Sequence, residues 1–358
     1  MTGYCFQNES LSAIALASTR CWRFRFDAVN TIALTIGDPN GVGPEIAVKA
    51  AAAMANHPHL RLLIVGDIDV VSFYVEKVAP AMSINITPES GTPRSGVINV
   101  VPTQSLPRQS FRPGQIDPVA GRATVSYVEQ AVDLVRSGRA SSIVACPHNE
   151  TSVNAAGIKF NGYPGLLAEL LKLPKDEIFL MLVAGNLRIV HVTLHERLAD
   201  AIERLSSELI VRAGTVANEA LIRMGIAIPR IGMFGINPHA GEEGLFGDDD
   251  RKITEPAAML LRKDGLKIEG PMGADVLLSL RDMDAYIAMY HDQGHIPIKL
   301  LAPRHAIALS IGGGVTFSSV GHGSAFNIAG KGIADPEAVV RTIHLVAGLP
   351  DGSQKDSS

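Results

Sequence analysis

The sequence predicts a two-domain α/β protein built on a mainly parallel sheet, and three observations carry that expectation. From Thr31 onward, short apolar runs of strand length alternate with longer helix-like stretches, the rhythm of a sheet covered on both faces. The chain has 358 residues, enough for two cores of ordinary size. Hydrophobic residues make up 46% of it, which excludes a disordered chain or a small disulfide-stapled scaffold.

In order, TIALTIG (31–37) reads as the first strand, EIAVKAAAAMA (45–55) as a helix and RLLIVGD (61–67) as the next strand. A variable Pro/Gly-rich stretch follows, then the helix VSYVEQAVDLV (125–135) and the strand SSIVACP (141–147). The rhythm resumes with the strands IFLMLVA (178–184) and RIVHVTLH (188–195) and the helix LIVRAGTVANEALIRMG (209–225). RIGMFGI (230–236), AYIAMYH (285–291) and AIALSIGG (306–313) complete the strands, and PEAVVRTIHLVAG (336–348) closes the chain with a helix. Pro102, Pro107, Pro113 and Pro118 mark residues 102–118 as a long surface loop, and LFGDDDR around Asp248 marks another.

The first 29 residues differ from the rest. Arg20, Arg23 and Arg25 alternate with Trp22, Phe24 and Phe26, and the segment reads as a disordered extension or a mis-assigned start rather than a targeting remnant or an RNA-binding tail. With 32 Lys plus Arg against 36 Asp plus Glu and no long basic run, the chain offers phosphate backbones or anionic lipids nothing broad to grip, so a small ligand is expected. Cys5, Cys21 and Cys146 are odd in number and widely spaced, which argues for a reducing cytoplasm over a disulfide framework or a zinc cluster. No apolar run approaches the roughly 18 residues of a membrane-spanning helix.

In sheets of this kind function sits beyond the carboxyl ends of the strands. His195, His239 and His291 each lie just past an expected strand, and three neutral imidazoles make a divalent-metal site with an open position. For each one a hydrogen-bonded rim histidine is the alternative, and His191 and His295 are further candidates. Gly37 to Glu45 form a glycine-rich turn entering a helix, either an anion site or a plain strand-to-helix turn. The stretch from Gly321 to Gly332 reads as a main-chain wrap for a nucleotide or as a helix start. Lys299 lies eight residues after His291 on the same short helix, placed to move a proton at a substrate oxygen; a solvated surface lysine is the alternative.

GDPNGVGPE, INPHAGEEG, MYHDQGHIPIK and GHGSAFNIAGKGIADP together resemble the 4-hydroxythreonine-4-phosphate dehydrogenase family, and the last of them is also similar to the isocitrate and isopropylmalate dehydrogenases. The resemblance runs from about Thr31 to about Gly348. It implies an isocitrate/isopropylmalate dehydrogenase-like fold with an active-site cleft between two domains, residues 30–140 plus 305–350 forming the first and 141–304 the second. It further implies a homodimer with the metal site at the subunit interface, a divalent metal (zinc first, iron or manganese otherwise) and NAD or NADP as oxidant. The family's ligands fall on His195, His239 and His291, one of them supplied across the dimer, and Lys299 falls on its substrate-binding lysine. Gly321, His322, Gly323, Ser324 and Asn327 are the expected cofactor contacts. Asn327 stands where many NAD-preferring relatives carry an Asp, which leaves NAD against NADP open.

Three departures bear on the substrate. Tyr163-Pro164 replaces the family's His-Thr pair, and Ala308 and Phe317 fall on its substrate-binding Asn and Arg. Without that guanidinium a phosphate dianion loses a bidentate partner. CPHNET, FNGYP and ALSIGGGVTFSSVGHGSA are most similar to the branch that acts on terephthalate cis-dihydrodiol. By that resemblance the reaction is oxidative decarboxylation of the dihydrodiol dicarboxylate to protocatechuate. Tyr163 and Phe317 are then expected as aromatic walls for a flat ring, with Asn40 and Arg304 as further substrate contacts. A dehydrogenase of a phosphorylated hydroxy acid, a three-histidine hydrolase or lyase without nicotinamide, and a binding protein without chemistry are the alternatives.

Overall fold

The computed structural model describes residues 29–86, 94–160, 162–302, 306–320 and 323–349. The aromatic and arginine-rich N-terminal segment, with Cys5 and Cys21, lies outside them; Cys146 is a buried free thiol. The strands are β1 (Asn30–Thr35), β2 (Leu60–Asp67), β3 (Ser83–Asn85), β4 (Val97–Thr103), β5 (Ser142–Ala145) and β6 (Ile178–Ala184). They continue as β7 (Leu187–His191), β8 (Arg230–Phe234), β9 (Lys267–Met272), β10 (Ala285–Ala288), β11 (Ile307–Gly312) and β12 (Val315–Ser319). Among the described residues all twelve join one sheet in the order β3-β4-β2-β1-β5-β12-β11-β6-β7-β10-β8-β9.

The antiparallel pairings, β12 with β11, β11 with β6 and β6 with β7, sit together in the middle of the sheet. They separate two parallel blocks, β3-β4-β2-β1-β5-β12 and β7-β10-β8-β9. The expected mainly parallel α/β architecture is what forms. β5, just past residue 141, pairs with β1 and β12, so it belongs to the N-terminal block of the sheet.

Strands buried on both faces need no alternation, which is why β2 reads LRLLIVGD with all but one residue buried. β4 and β12 go beyond the strands that the periodicity marks. β4 ends in Pro102-Thr103, inside the proline-rich stretch. β12 forms a hairpin with β11 through Gly312, Gly313 and Gly314, all at positive φ. A side chain at Gly312 would place its Cβ 1.9 Å from the Glu177 carbonyl oxygen, so the turn demands glycine.

The main core runs through both blocks, with Tyr74, Tyr127 and Phe317 among its largest fully buried side chains. A smaller cluster of Leu182, Phe234, Tyr286, Leu277 and Ile298 lies under the helix His291–Leu301. It seats the helix that carries the candidate site. Asp250, expected in a surface loop, is instead 1% exposed: its carboxylate accepts from the backbone N–H groups of Ile236 and Asn237 and from the Thr254 hydroxyl. Among the described residues no helix is long and apolar enough to cross a membrane.

Candidate active site

β7, β10 and β8 are neighbouring parallel strands, and the segments leaving their carboxyl ends carry His195, His291 and His239. The segment after β7 is tied to the end of β10, because Val192 and Thr193 donate backbone N–H groups to Ala288 and Met289, and the Thr193 hydroxyl donates to Met289 at 2.8 Å. Gln293 links the exits of β10 and β8: it accepts from Met289 N–H and donates to the Gly235 carbonyl, both at 2.7 Å. In the helix His291–Leu301, Gly294 and Ile298 are buried on the sheet side. His291, His295 and Lys299, spaced by four, share another stripe, and Lys299 is exposed.

One ring nitrogen from each of His195, His291 and His295 lies within 4.8 Å of the other two. The His195 and His291 ring centroids are 5.2 Å apart. Nδ1 of His291 is 2.6 Å from a carboxylate oxygen of Asp292. A carboxylate accepts, so Nδ1 carries the proton and Nε2 keeps its lone pair for a metal, the usual carboxylate–histidine arrangement. Burial, then the charge of His291, holds the pKa of His195 below its ordinary value. Burial, followed by His291, takes His295 down to about 4. Neutral rings are the form a metal needs, and imidazole nitrogens suit a divalent ion of the zinc type.

Of the three histidines expected as ligands, the chain thus brings two together. His239 lies elsewhere, 65% exposed, with Nδ1 2.7 Å from Glu242 Oε2. Its ring has the same tautomer lock as His291. Residues His239 to Glu243 all have positive φ, a left-handed turn that costs each non-glycine residue about 1–2 kcal/mol. Buried Asp250, gripping Ile236 and Asn237, holds the turn in place. Strain of this kind concentrates at functional sites. The sequence reading missed Asp292, Glu242, Asp250 and Gln293, although an acid one or three residues after a candidate histidine is a visible signal.

The turn after β1 is a structural element. The N–H groups of Asp38, Asn40, Gly41 and Val42 donate to Pro147 O, Asp38 Oδ1, Asp38 O and Ser324 O, so these four are spent within the fold. Glu45, fully buried, accepts from Lys49, Gly332 and Ala334, which ties the entering helix to the second glycine-rich stretch. Asn40 is also a cross-link rather than an open substrate contact: its side chain donates to Ser110 O and accepts from Arg112 N–H. It thereby pins the loop whose Leu106, Arg108 and Phe111 help line a cavity of about 310 Å³.

Tyr163 and Phe317 are 6% and 0% exposed, with ring centroids 4.4 Å apart. They face each other in the core instead of walling an open ring site. Burial pushes the Tyr163 hydroxyl pKa up. Ser324 is buried and its hydroxyl donates to His148 O, whereas Gly323 and Asn327 are exposed. Gly321, His322 and Arg304 lie outside the described residues.

Asp38 yields a pH prediction. Burial, only partly offset by hydrogen bonds from the Asn40 N–H and the Ser152 hydroxyl, raises its pKa from 3.8 to about 6. The folded state therefore binds the proton more tightly than the unfolded chain. This group lowers stability as pH rises from about 4 to about 6, by about 3 kcal/mol in full. Asp38→Asn is expected to raise the melting temperature at pH 7.5 and to leave it nearly unchanged at pH 4; an equal effect at both would refute the assignment.

Residues 58–346 match the family model described as pyridoxal phosphate biosynthetic protein PdxA. Over 319 residues the chain is 47% identical to a 1,2-dihydroxy-3,5-cyclohexadiene-1,4-dicarboxylate dehydrogenase of a Comamonas species, covering 89% of this chain and 98% of that one. It is 39% identical to a D-threonate 4-phosphate dehydrogenase of Cupriavidus necator, covering 90% and 98%. A crystal structure of a terephthalate 1,2-cis-dihydrodiol dehydrogenase from Burkholderia xenovorans LB400 superposes with a TM-score of 0.79 at 49% identity, covering 89% of this chain and 98% of that one.

Proposed function

This chain belongs to the PdxA family, and on that premise we propose that it is a metal-dependent, NAD(P)-linked dehydrogenase that oxidatively decarboxylates terephthalate cis-dihydrodiol to protocatechuate. The observation that carries the reading is the rim of histidines on three adjacent parallel strands, with two of them, His291 and His239, locked at Nδ1 by Asp292 and Glu242. His195 and His291 of one protomer and His239 of its partner in a homodimer would hold the ion. The exposure of His239 and its strained turn suit presentation across an interface. Gly323 and Asn327 would meet the dinucleotide.

When bound, the ion would supply Lewis acidity and the dinucleotide a hydride acceptor. Oxidation of the hydroxyl at ring carbon 2 gives a ketone β to the carboxylate on carbon 1. That carboxylate leaves as CO₂, its bonding pair closes the C1=C2 double bond and makes the ring aromatic, and protonation of the oxygen on carbon 2 gives the diol. Lys299 would exchange the proton at the substrate oxygen, taking it from the hydroxyl as the hydride leaves and returning it to the enolate oxygen. For each substrate one NAD(P)H and one CO₂ form.

By the resemblance, Phe317 stands at the family's substrate-binding arginine, and here its hydrocarbon ring is fully buried. A phosphate there would be left without its bidentate partner, at a cost of several kcal/mol. Phosphorylated 4-hydroxythreonine and D-threonate 4-phosphate are therefore expected to show kcat/KM at least about 100-fold below that of the dihydrodiol dicarboxylate. A panel assay that follows reduced cofactor, CO₂ and protocatechuate tests this. Comparable efficiency on the phosphorylated acids would overturn the substrate, and reduced cofactor without CO₂ would overturn the decarboxylation.

A further inference from the structure

Behind the rim lies a buried histidine with no part in the chemistry above. His191, the last residue of β7, is 1% exposed. Its Nδ1 lies 3.2 Å from the carbonyl oxygen of Leu180, and its Nε2 lies 3.0 Å from Nδ1 of His295. A carbonyl oxygen only accepts, so the proton of His191 sits on Nδ1 and Nε2 is an acceptor. That acceptor requires the proton of His295 to sit on Nδ1. The main-chain oxygen of His291, 3.2 Å from the same nitrogen, requires the same. A single β6 carbonyl thus fixes the tautomers of two imidazoles in series.

His295 in turn stacks on His291, with ring centroids 3.6 Å apart and planes 15° from parallel. Parallel rings carry their in-plane lone pairs side by side, not converging on one point. His295 therefore walls one face of His291 instead of sharing its ion. The arrangement depends on Gly294, because a Cβ there would lie 2.4 Å from Nε2 of His191 and 2.9 Å from Ile189. A glycine inside a helix makes room for the buried ring.

We infer that His191 and His295 are positioning residues that hold the His291 imidazole in the orientation presenting its Nε2 to a divalent cation, while Asp292 fixes it at Nδ1. This rests on the reading of His291 as a metal ligand. The test measures Zn²⁺ affinity of the full-length protein by chelator competition, the Co²⁺ ligand-field spectrum, and the imidazole nitrogen NMR spectrum of metal-free protein. His295→Ala is expected to weaken Zn²⁺ binding by about 10-fold or more, in the range typical of a lost outer-sphere partner. His295→Phe keeps a ring stacked on His291 and is expected to stay within about threefold, with an unchanged Co²⁺ spectrum. His191→Leu and Gly294→Ala should shift affinity in the same direction as His295→Ala. Wild type should show His191 and His295 protonated at Nδ1, which does not depend on any variant folding.

Loss in His295→Phe as large as in His195→Ala would make His295 a ligand and overturn the inference. So would wild-type affinity in both His295→Ala and His191→Leu, or an Nε2–H tautomer at His295. If His195→Ala loses the ion while these variants keep it, the positioning role alone falls. If wild type takes up no ion, the metal reading falls with it.

Discussion

Replacing His291 by alanine is expected to strip the protein of its metal and of its activity together. Two imidazoles and water hold a catalytic ion poorly, so Zn²⁺ affinity should fall by more than about 100-fold, beyond what loss of an outer partner causes. Loss of Lewis-acid stabilisation worth roughly 4 kcal/mol corresponds to about a 1,000-fold drop in turnover. His195→Ala and His239→Ala should behave alike. His239 also allows a test of where the third ring comes from. If it crosses a twofold interface, mixing inactive His239→Ala with inactive His291→Ala subunits creates mixed dimers with one intact site each. Random mixing then restores about a quarter of wild-type activity. A mixture that stays inactive places all ligands in one chain, and full turnover by exhaustively demetallated wild type would remove the metal from the mechanism altogether.

Lys299→Met is expected to lower kcat by about 100- to 10,000-fold while leaving KM within a few-fold, the signature of a lost proton-transfer group. The stereochemical setting supports the role: Lys299 is exposed and stands four residues beyond His295 on the stripe that begins at His291. Methionine keeps the length and the packing of the stem but has no proton to exchange. A raised KM with kcat unchanged at saturation would make Lys299 an anchor for a substrate carboxylate instead. Because Lys299 lies on the exposed side of the helix, a change in melting temperature is not expected to confuse the comparison.

Much of the fold was legible because burial leaves its mark on composition. Runs such as RLLIVGD and IFLMLVA announce strands buried on both faces, and the helix-length stretches between them announce crossovers. β12 was not legible: VTFSS is short and preceded by three glycines, and it is a strand only because β5 and β11 flank it with backbone partners. The rim positions of His195, His239 and His291 were legible as well, since each directly follows an apolar run.

What the sequence determined by itself is local: which segments are buried and which polar residues follow them. The surroundings of Asn40, Tyr163 and Phe317 were decided only by tertiary structure. Asn40 spends its amide on Ser110 and Arg112, and the two aromatic rings close on each other in the core, through contacts between segments far apart in the chain. The same holds for His295, which reaches the cluster with His195 and His291 while His239 turns away on a left-handed loop held by Asp250. Spacing along a chain fixes neighbours only within one helix or strand; between strands, the order of pairing in the sheet and the hydrogen bonds at their ends choose which side chains meet.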